Sequence, residues 1–292
     1  MRTSPRDIDF DRGPMRSLRV RIAGADVGPL VLYMHGSPSS RLDVDYLHTR
    51  SARRGVRLAA VDRPGYGGSA YETFDFASVA ADAAAVADHL HAPRFAVFGQ
   101  SSGAGYALAT AAAHPDRVTA VATGGGGGPF EPGTRRWEHL SEGEKRGVAL
   151  VGIDDTEAER LLAEADKSIV YQLTLDDEEI AAAWFDAASP ADKRVLTAGL
   201  GRVLVPTIRE SLRQRQAGWA RDNVVRMAQW DFDLAAIRCR VTFWMGEEDG
   251  ENVEAAPWLV AGVPHAELRV LADQGHFVAF ERWDDVLTSL GL

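Results

Sequence analysis

The chain has 292 residues, of which 46% are hydrophobic and 25% are charged, and its formal net charge is -10. This length and composition suit a chain that buries its own core, and no apolar run approaches the roughly 18 residues that suggest a membrane span. The negative charge argues against a nucleic-acid partner, because phosphate recognition needs clustered lysine and arginine side chains. We therefore expect a soluble protein.

The cell compartment is predicted from the N-terminus and the cysteine count. The opening stretch MRTSPRDIDFDRGPM carries charges where a secretory signal would need an apolar segment. Cys239 is the single cysteine, so no disulfide can form within the chain, which suits a reducing environment. We expect a cytoplasmic protein that has no membrane contact and is a monomer or a homodimer.

Short apolar runs alternate with helical segments along the chain. The predicted strands are residues 29–36, 55–62, 94–99, 117–124, 240–246 and 266–272. Helical composition and apolar spacing mark residues 39–55, 76–90 and 101–115. Nearly continuous apolar strands separated by helices are typical of a parallel sheet buried on both faces. Such a sheet places its chemistry in the loops that follow the carboxyl ends of the strands.

Residues 131–230 carry no convincing strand but several signals for the start of a helix. Capping-box spacing is found at Ser141 with Glu144, Thr156 with Glu159 and Asp176 with Glu179, and Ser189 precedes Pro190. We expect an all-helical cap at 131–230, inserted into a core made of residues 1–130 and 231–292. Its aromatic side chains form either a small core of the insert or a ligand pocket, for which Trp137 and Trp184 are the candidates.

Five consecutive glycines occupy residues 124–128, where the chain leaves the predicted sheet. The run lacks the Gly-Lys-Ser/Thr ending of a phosphate loop, so we interpret it as a flexible hinge.

The segment Gly99-Gln100-Ser101-Ser102-Gly103 fits the pattern G-x-S-x-G between a predicted strand and a predicted helix. A sharp turn from strand to helix strains its middle residue and lifts that side chain out of the fold, which predicts Ser101 as a nucleophile. Ser102 competes for this role. Because it lies where the helix begins, its backbone N–H is the better candidate for stabilising a developing anion.

A serine nucleophile needs a base, and the base needs an acid that orients it. His276 lies in the loop after the last predicted strand, at the same sheet edge as Ser101, and is the predicted base. Asp249 follows the strand at 240–246 and is the favoured acid, while Glu247 and Glu248 stay open as alternatives.

The segment His35-Gly36-Ser37-Pro38 ends another strand at this edge. The backbone N–H of Ser37 is the predicted second donor to an oxyanion, beside that of Ser102. His35 and Gly36 are candidates for contact with a substrate, although His35 is favoured as a structural hydrogen-bonding residue rather than a base.

The motifs HGSP, DRPGYGGS, GQSSG, GEED and GH, in this order, resemble those of the α/β-hydrolase superfamily. The resemblance covers essentially the whole chain. It implies an α/β-hydrolase fold, with a mostly parallel central sheet flanked by helices and an inserted helical cap, and a serine-nucleophile, esterase-like member. The order Ser101, Asp249, His276 matches nucleophile, acid and base. Epoxide hydrolases and haloalkane dehalogenases of this superfamily use an aspartate nucleophile instead.

The implied activity is hydrolysis of a carboxylic ester, lactone or thioester of a small, largely apolar substrate through an acyl-enzyme, with no metal or cofactor. A carbon–carbon bond hydrolase or a lyase could use the same triad on a ketone. A proline-releasing peptidase is less favoured, because such relatives carry HGGPG and a GGSWG-like turn. A non-catalytic small-molecule receptor is also less favoured, since a receptor would need the pocket but not the base.

Overall fold

The computed structural model describes residues 4–13, 17–165 and 167–292, which contain eight strands. The strands are β1 (Arg6–Asp11), β2 (Ser17–Gly24), β3 (Leu30–Met34), β4 (Arg57–Val61), β5 (Phe95–Gln100), β6 (Val118–Gly124), β7 (Arg240–Gly246) and β8 (Ala266–Leu271). They form one sheet in the order β1-β2-β4-β3-β5-β6-β7-β8. β2 runs antiparallel to β1 and β4, and every other pair is parallel.

All six predicted strands are present, whereas the N-terminal pair β1 and β2 was not predicted. The prediction relied on nearly continuous apolar runs, which mark strands buried on both faces. β2 instead reads SLRVRIAG, and its first residues alternate between buried and more exposed positions. Alternation with a period of two is the signal of a half-buried antiparallel strand, and it would have revealed this pair.

Helices cover both faces of the sheet and insert between β6 and β7. They are α1 (Val44–Arg53), α2 (Phe76–His89), α3 (Gly103–Ala113), α4 (Arg135–Glu138), α5 (Glu142–Leu150), α6 (Asp155–Ala165), α7 (Lys167–Gln172), α8 (Asp177–Ala187), α9 (Pro190–Val195), α10 (Gly201–Ser211), α11 (Ala217–Met227), α12 (Gly250–Gly262), α13 (Val278–Glu281) and α14 (Trp283–Ser289). Short 3-10 turns span Arg41–Asp43 and Leu234–Ala236, and a π-helical turn spans Leu196–Leu200. None of the helices among the described residues is long and apolar enough to cross a bilayer.

The core lies on both faces of the sheet because successive side chains of a strand point to opposite sides. On one face Leu32 packs in a cluster with residues of α2, α3 and α12, including Leu108 and Leu259. On the other face Tyr33 packs with residues of α1 and α14, including Leu47 and Trp283. The predicted sheet with two buried faces is therefore confirmed.

The helices α4 to α11 form the segment inserted between β6 and β7, and the described residues of this segment contain no strand. The predicted capping boxes at Ser141 and Asp176 are formed, each with the glutamate three residues on. Ser189 accepts a hydrogen bond from the N–H of Asp192, with Pro190 in the first turn of α9. The limits 131 and 230 of the insert stay predictions.

The capping box predicted at Thr156 is wrong. α6 begins at Asp155, so Thr156 lies inside the helix. The carboxylate of Asp154 accepts a hydrogen bond from the N–H of Glu157 at 3.0 Å and takes the capping role. Asp154 and Glu157 have the same spacing as the predicted pair, Thr156 and Glu159, but lie two residues earlier in the chain.

A buried ionic cluster ties α11 of the insert to the core. Asp222 of α11 is completely buried, and one of its oxygens accepts hydrogen bonds from Arg63 at 2.6 Å and from the Tyr66 hydroxyl at 2.8 Å. The Tyr106 hydroxyl of α3 donates to its other oxygen. Burial alone would raise the pKa of Asp222, but the Arg63 charge and these hydrogen bonds outweigh it, so the pKa is lowered and the carboxylate stays charged.

We predict that Asp222→Ala lowers the free energy of unfolding by about 3 to 5 kcal/mol, because it leaves the Arg63 charge buried without a partner. Urea denaturation followed by tryptophan fluorescence measures this. Asp177→Ala is the matched control, since Asp177 pairs with Arg209 at an exposed site and the loss of such a pair costs at most about 1 kcal/mol. Equal losses in the two variants would contradict the structural role of the cluster.

Candidate active site

Ser101 occupies a strained turn between β5 and α3. Its φ is +54°, in the left-handed region that non-glycine residues rarely adopt. The N–H of Ser101 donates to the carbonyl of Gly124 at 2.7 Å, which holds the turn against β6. A Cβ atom on Gly103 would lie 2.1 Å from the carbonyl oxygen of Met34, so only glycine fits there. The turn therefore has the geometry that the motif predicts.

His276 lies in the loop after β8 and is hydrogen bonded to Asp249, which follows β7. The distance from His276 Nδ1 to Asp249 Oδ1 is 2.9 Å. A carboxylate only accepts hydrogen bonds, so Nδ1 carries the proton and Nε2 keeps a lone pair. The open choice of acid is thereby resolved in geometry: Glu247 is exposed, and Glu248 accepts a hydrogen bond from a backbone N–H of α9 instead.

Two opposing effects act on the pKa of His276. Burial lowers it, because it disfavours the charged imidazolium. The negative charges of Asp249 and Asp192 and the hydrogen bond to Asp249 raise it, and together they prevail, so the pKa lies above the ordinary value of 6.5. The imidazole can therefore accept a proton readily.

Ser101 and His276 line the same cavity, which has a volume of about 80 Å³. Its apolar walls come from Trp184, Leu200, Leu204, Phe277 and Phe280. A second cavity of about 50 Å³ lies on the Ser102 side, and its walls include Phe130, Arg136, Arg226 and Trp230. Ser37 and Ser101 line both cavities, so these two residues lie where the two spaces meet.

Ser37 and Ser102 both belong to the walls of the cavity on the Ser102 side, and Ser37 also lines the other cavity. Among the described residues, neither of their backbone N–H groups has an acceptor within hydrogen-bonding distance. Ser102 directly precedes α3, whose N-terminal end carries a positive partial charge. The Ser37 hydroxyl lies 2.7 Å from the Tyr66 hydroxyl, which donates its own proton to Asp222, so Ser37 is the donor to Tyr66. Because the hydroxyl proton of Ser37 is used in this way, its backbone N–H is its remaining hydrogen-bond donor.

A family model described as the alpha/beta hydrolase family matches residues 31–288. The chain belongs to the alpha/beta hydrolase family. The family and fold predicted from the motifs are thereby confirmed, and with them the general class of hydrolase. A search of the curated proteins found no match.

Solved structures of similar fold cover nearly the whole of this hydrolase-family chain. A hydrolase from Pseudomonas aeruginosa PA01 is 18% identical with a TM-score of 0.68, over 99% of this chain and 98% of that one. A thermophilic esterase from Thermogutta terrifontis is 18% identical with a TM-score of 0.68, over 98% and 97%. The enol-lactonase from Burkholderia xenovorans LB400 is 17% identical with a TM-score of 0.64, over 94% and 95%. At these identities the likeness establishes the fold alone.

His35 has the geometry of the structural hydrogen-bonding residue that the sequence favours, and its contact with a substrate stays a prediction. The side chain is completely buried, Nδ1 donates to the carbonyl of Gly36 at 2.7 Å, and Nε2 accepts from the N–H of Arg63 at 3.1 Å. Burial and the Arg63 charge hold the pKa of His35 well below its ordinary value, so the ring is neutral and structural. Gly36, by contrast, lines the cavity that holds Ser101.

The two tryptophans predicted for the pocket lie in different places. Trp184 of α8 lines the cavity shared by Ser101 and His276. Trp137 lines a separate cavity of about 860 Å³ between the insert and the start of α2. Trp137 does not line the cavity of Ser101, and its contact with a substrate stays a prediction. Helix packing decides which aromatic side chain reaches the site, and sequence spacing does not reveal that packing.

The glycine run at 124–128 is packed against the site and is not the loose hinge that we predicted. A Cβ atom on Gly125 would lie 2.7 Å from His276 Nδ1 and 2.9 Å from Asp249 Oδ2. One on Gly126 would lie 2.2 Å from the Cβ atom of Ala104. These glycines let the backbone approach the acid, the base and α3 closely.

Three polar residues at the site were not predicted. Gln100 donates to the carbonyl of His276 at 3.0 Å, Asn252 donates to Asp249 Oδ1 at 3.1 Å, and Asp192 accepts from the N–H of His276 at 3.0 Å. Gln100 lies within the G-x-S-x-G motif, and Asn252 follows Asp249 by three residues at the start of a helix, so local spacing could have suggested both. Asp192 is separated from His276 by 84 residues and has no such signal.

We predict that an NMR titration of the His276 imidazole gives a pKa above 6.5 and that Asp249→Asn lowers it. The asparagine removes the negative charge that favours the imidazolium, so the proton is lost at a lower pH. Glu248→Gln is the control and leaves the titration unchanged, because its carboxylate faces α9. A titration that Asp249→Asn does not move would contradict the pairing.

Proposed function

We propose that this protein is a serine hydrolase that cleaves a carboxylic ester, lactone or thioester of a small, largely apolar molecule through an acyl-enzyme. The observation that carries the proposal is that His276, hydrogen bonded to Asp249, lines the same cavity as Ser101, which lies on a strained turn. Family membership supports it. The esterase and the enol-lactonase of similar fold agree with this choice of chemistry.

The proposed reaction has two halves. Ser101 Oγ attacks the ester carbonyl while His276 Nε2 takes its proton, and Asp249 stabilises the imidazolium that forms. The N–H groups of Ser37 and Ser102 stabilise the oxyanion, and one such donor is worth about 2.7 to 4 kcal/mol of barrier. His276 then gives its proton to the departing alcohol, and a water molecule, activated by the same imidazole, releases the acid.

The two cavities at Ser101 provide separate spaces for the two parts of an ester. His276 must protonate the leaving oxygen, so the alcohol part lies in the cavity that His276 lines. That cavity has a volume of about 80 Å³, which suits a small alkyl group. The acyl part lies on the Ser102 side, beside Phe130 and Trp230.

The direct test is hydrolysis of p-nitrophenyl acetate by Ser101→Ala, which we expect to lose at least about a thousandfold in kcat because the nucleophile is missing. Ser102→Ala keeps its backbone N–H and is expected to lose far less. If Ser102→Ala lost much more activity than Ser101→Ala, Ser102 would be the nucleophile. Turnover of a diketone but of no ester would favour carbon–carbon hydrolysis, and failure of a fluorophosphonate probe to label the wild type would favour a receptor.

A second test varies the alcohol part of the substrate. With acetate esters of increasing alkyl length, we expect kcat/KM to fall once the chain outgrows the cavity, and Leu204→Ala to extend the accepted length. Each added methylene group that fits is worth about 0.8 kcal/mol, or about fourfold. Val148→Ala is the matched control, because Val148 lines the separate large cavity. An unchanged length profile in Leu204→Ala would contradict this placement of the alcohol.

A further inference from the structure

The carboxylate of Asp192 joins the helical insert to the loop that carries His276. Asp192 lies on α9 and is 5% exposed. Its Oδ2 accepts a hydrogen bond from the N–H of His276 at 3.0 Å, and its Oδ1 accepts one from the N–H of Phe277 at 2.9 Å. Both carboxylate oxygens thus hold consecutive N–H groups of one loop.

The carboxylate is itself fixed by its surroundings. Ser189 caps α9 and donates from its hydroxyl to Asp192 Oδ2 at 3.0 Å. On the other side, a Cβ atom on Gly275 would lie 2.4 Å from the same oxygen, so the loop approaches as closely as a glycine allows. The Asp192 carboxylate therefore forms a closely packed contact between α9 and the loop of His276, two elements that are distant in sequence.

Two charged groups act on the His276 imidazole, and they come from different elements. Asp249 comes from the loop after β7 and Asp192 from α9, and both favour the protonated form. Two other charged side chains between α9 and the neighbouring loops form hydrogen bonds to backbone atoms. Glu248 accepts from the N–H of Ala191, and Arg194 donates to the carbonyl of Asp273. Asp192 is thus the carboxylate of the insert that faces the base.

We propose that Asp192 is a positioning residue for His276, through which the helical insert fixes the orientation of the imidazole. This inference rests on the proposed function. Trp184, Leu200 and Leu204, which wall the alcohol cavity, belong to the same insert. The insert therefore contributes both to the walls of this cavity and to the placement of His276.

The test is Asp192→Asn, which keeps the size of the side chain but removes its charge and one acceptor. One buried N–H of the loop loses its acceptor and His276 is held less firmly, so we expect kcat for p-nitrophenyl acetate to fall about tenfold to a hundredfold with little change in KM. Loss of the negative charge lowers the pKa of His276, so the acid limb of kcat/KM moves to lower pH. Asp177→Asn is the matched control, because Asp177 is exposed on α8 of the same insert. We expect it to change neither kcat nor the acid limb of kcat/KM.

Ser189→Ala is the second variant, because it loosens Asp192 but keeps its charge. We expect a smaller fall in kcat, with the pKa of His276 still raised. NMR titration of the imidazole in each variant needs no substrate, so it tests Asp192 even if no ester is turned over. Wild-type kcat and an unmoved titration in Asp192→Asn would overturn the inference, whereas absence of ester hydrolysis in the wild type would overturn the proposed function alone.

Discussion

His276 is held by hydrogen bonds at three of its own groups, and the geometry of the candidate site depends on them. Asp249 binds Nδ1 of the ring, Asp192 binds the backbone N–H, and Gln100 donates to the backbone carbonyl. These partners come from the loop after β7, from the insert and from β5, so His276 is held by elements on several sides. In the proposed reaction, a base restrained in this way loses little freedom when it takes a proton, which is how pre-organisation lowers a barrier.

The insert contributes a buried carboxylate to each side of the site. Asp192 holds the loop of the base, and Asp222 accepts from Tyr66, which in turn accepts from Ser37. Two carboxylates on one inserted segment therefore reach the base on one side and a proposed oxyanion donor on the other. Buried charges are costly unless they are paired and hydrogen bonded, and both are placed where the core supplies their partners.

Sequence alone predicted most of the fold and brought Ser101, Asp249 and His276 to one candidate site, where their catalytic roles stay predictions. The apolar runs located β3 to β8 because strands buried on both faces leave a continuous pattern, and the loops after those strands contained Ser101, Asp249 and His276. Contacts between distant segments could not be predicted. Asp222 meets Arg63 across 159 residues, and Trp137 and Trp184 look alike in sequence although only Trp184 reaches the cavity of Ser101. Helix packing decides such contacts, and local patterns do not encode it.

The most direct measurement is a crystal structure of the protein after reaction with a small fluorophosphonate, whose tetrahedral phosphorus imitates the intermediate of ester hydrolysis. We expect phosphorus bonded to Ser101 Oγ, the phosphonyl oxygen within hydrogen-bonding distance of the N–H groups of Ser37 and Ser102, and His276 still hydrogen bonded to Asp249. An adduct on another residue, or a phosphonyl oxygen that meets neither N–H group, would contradict this expectation.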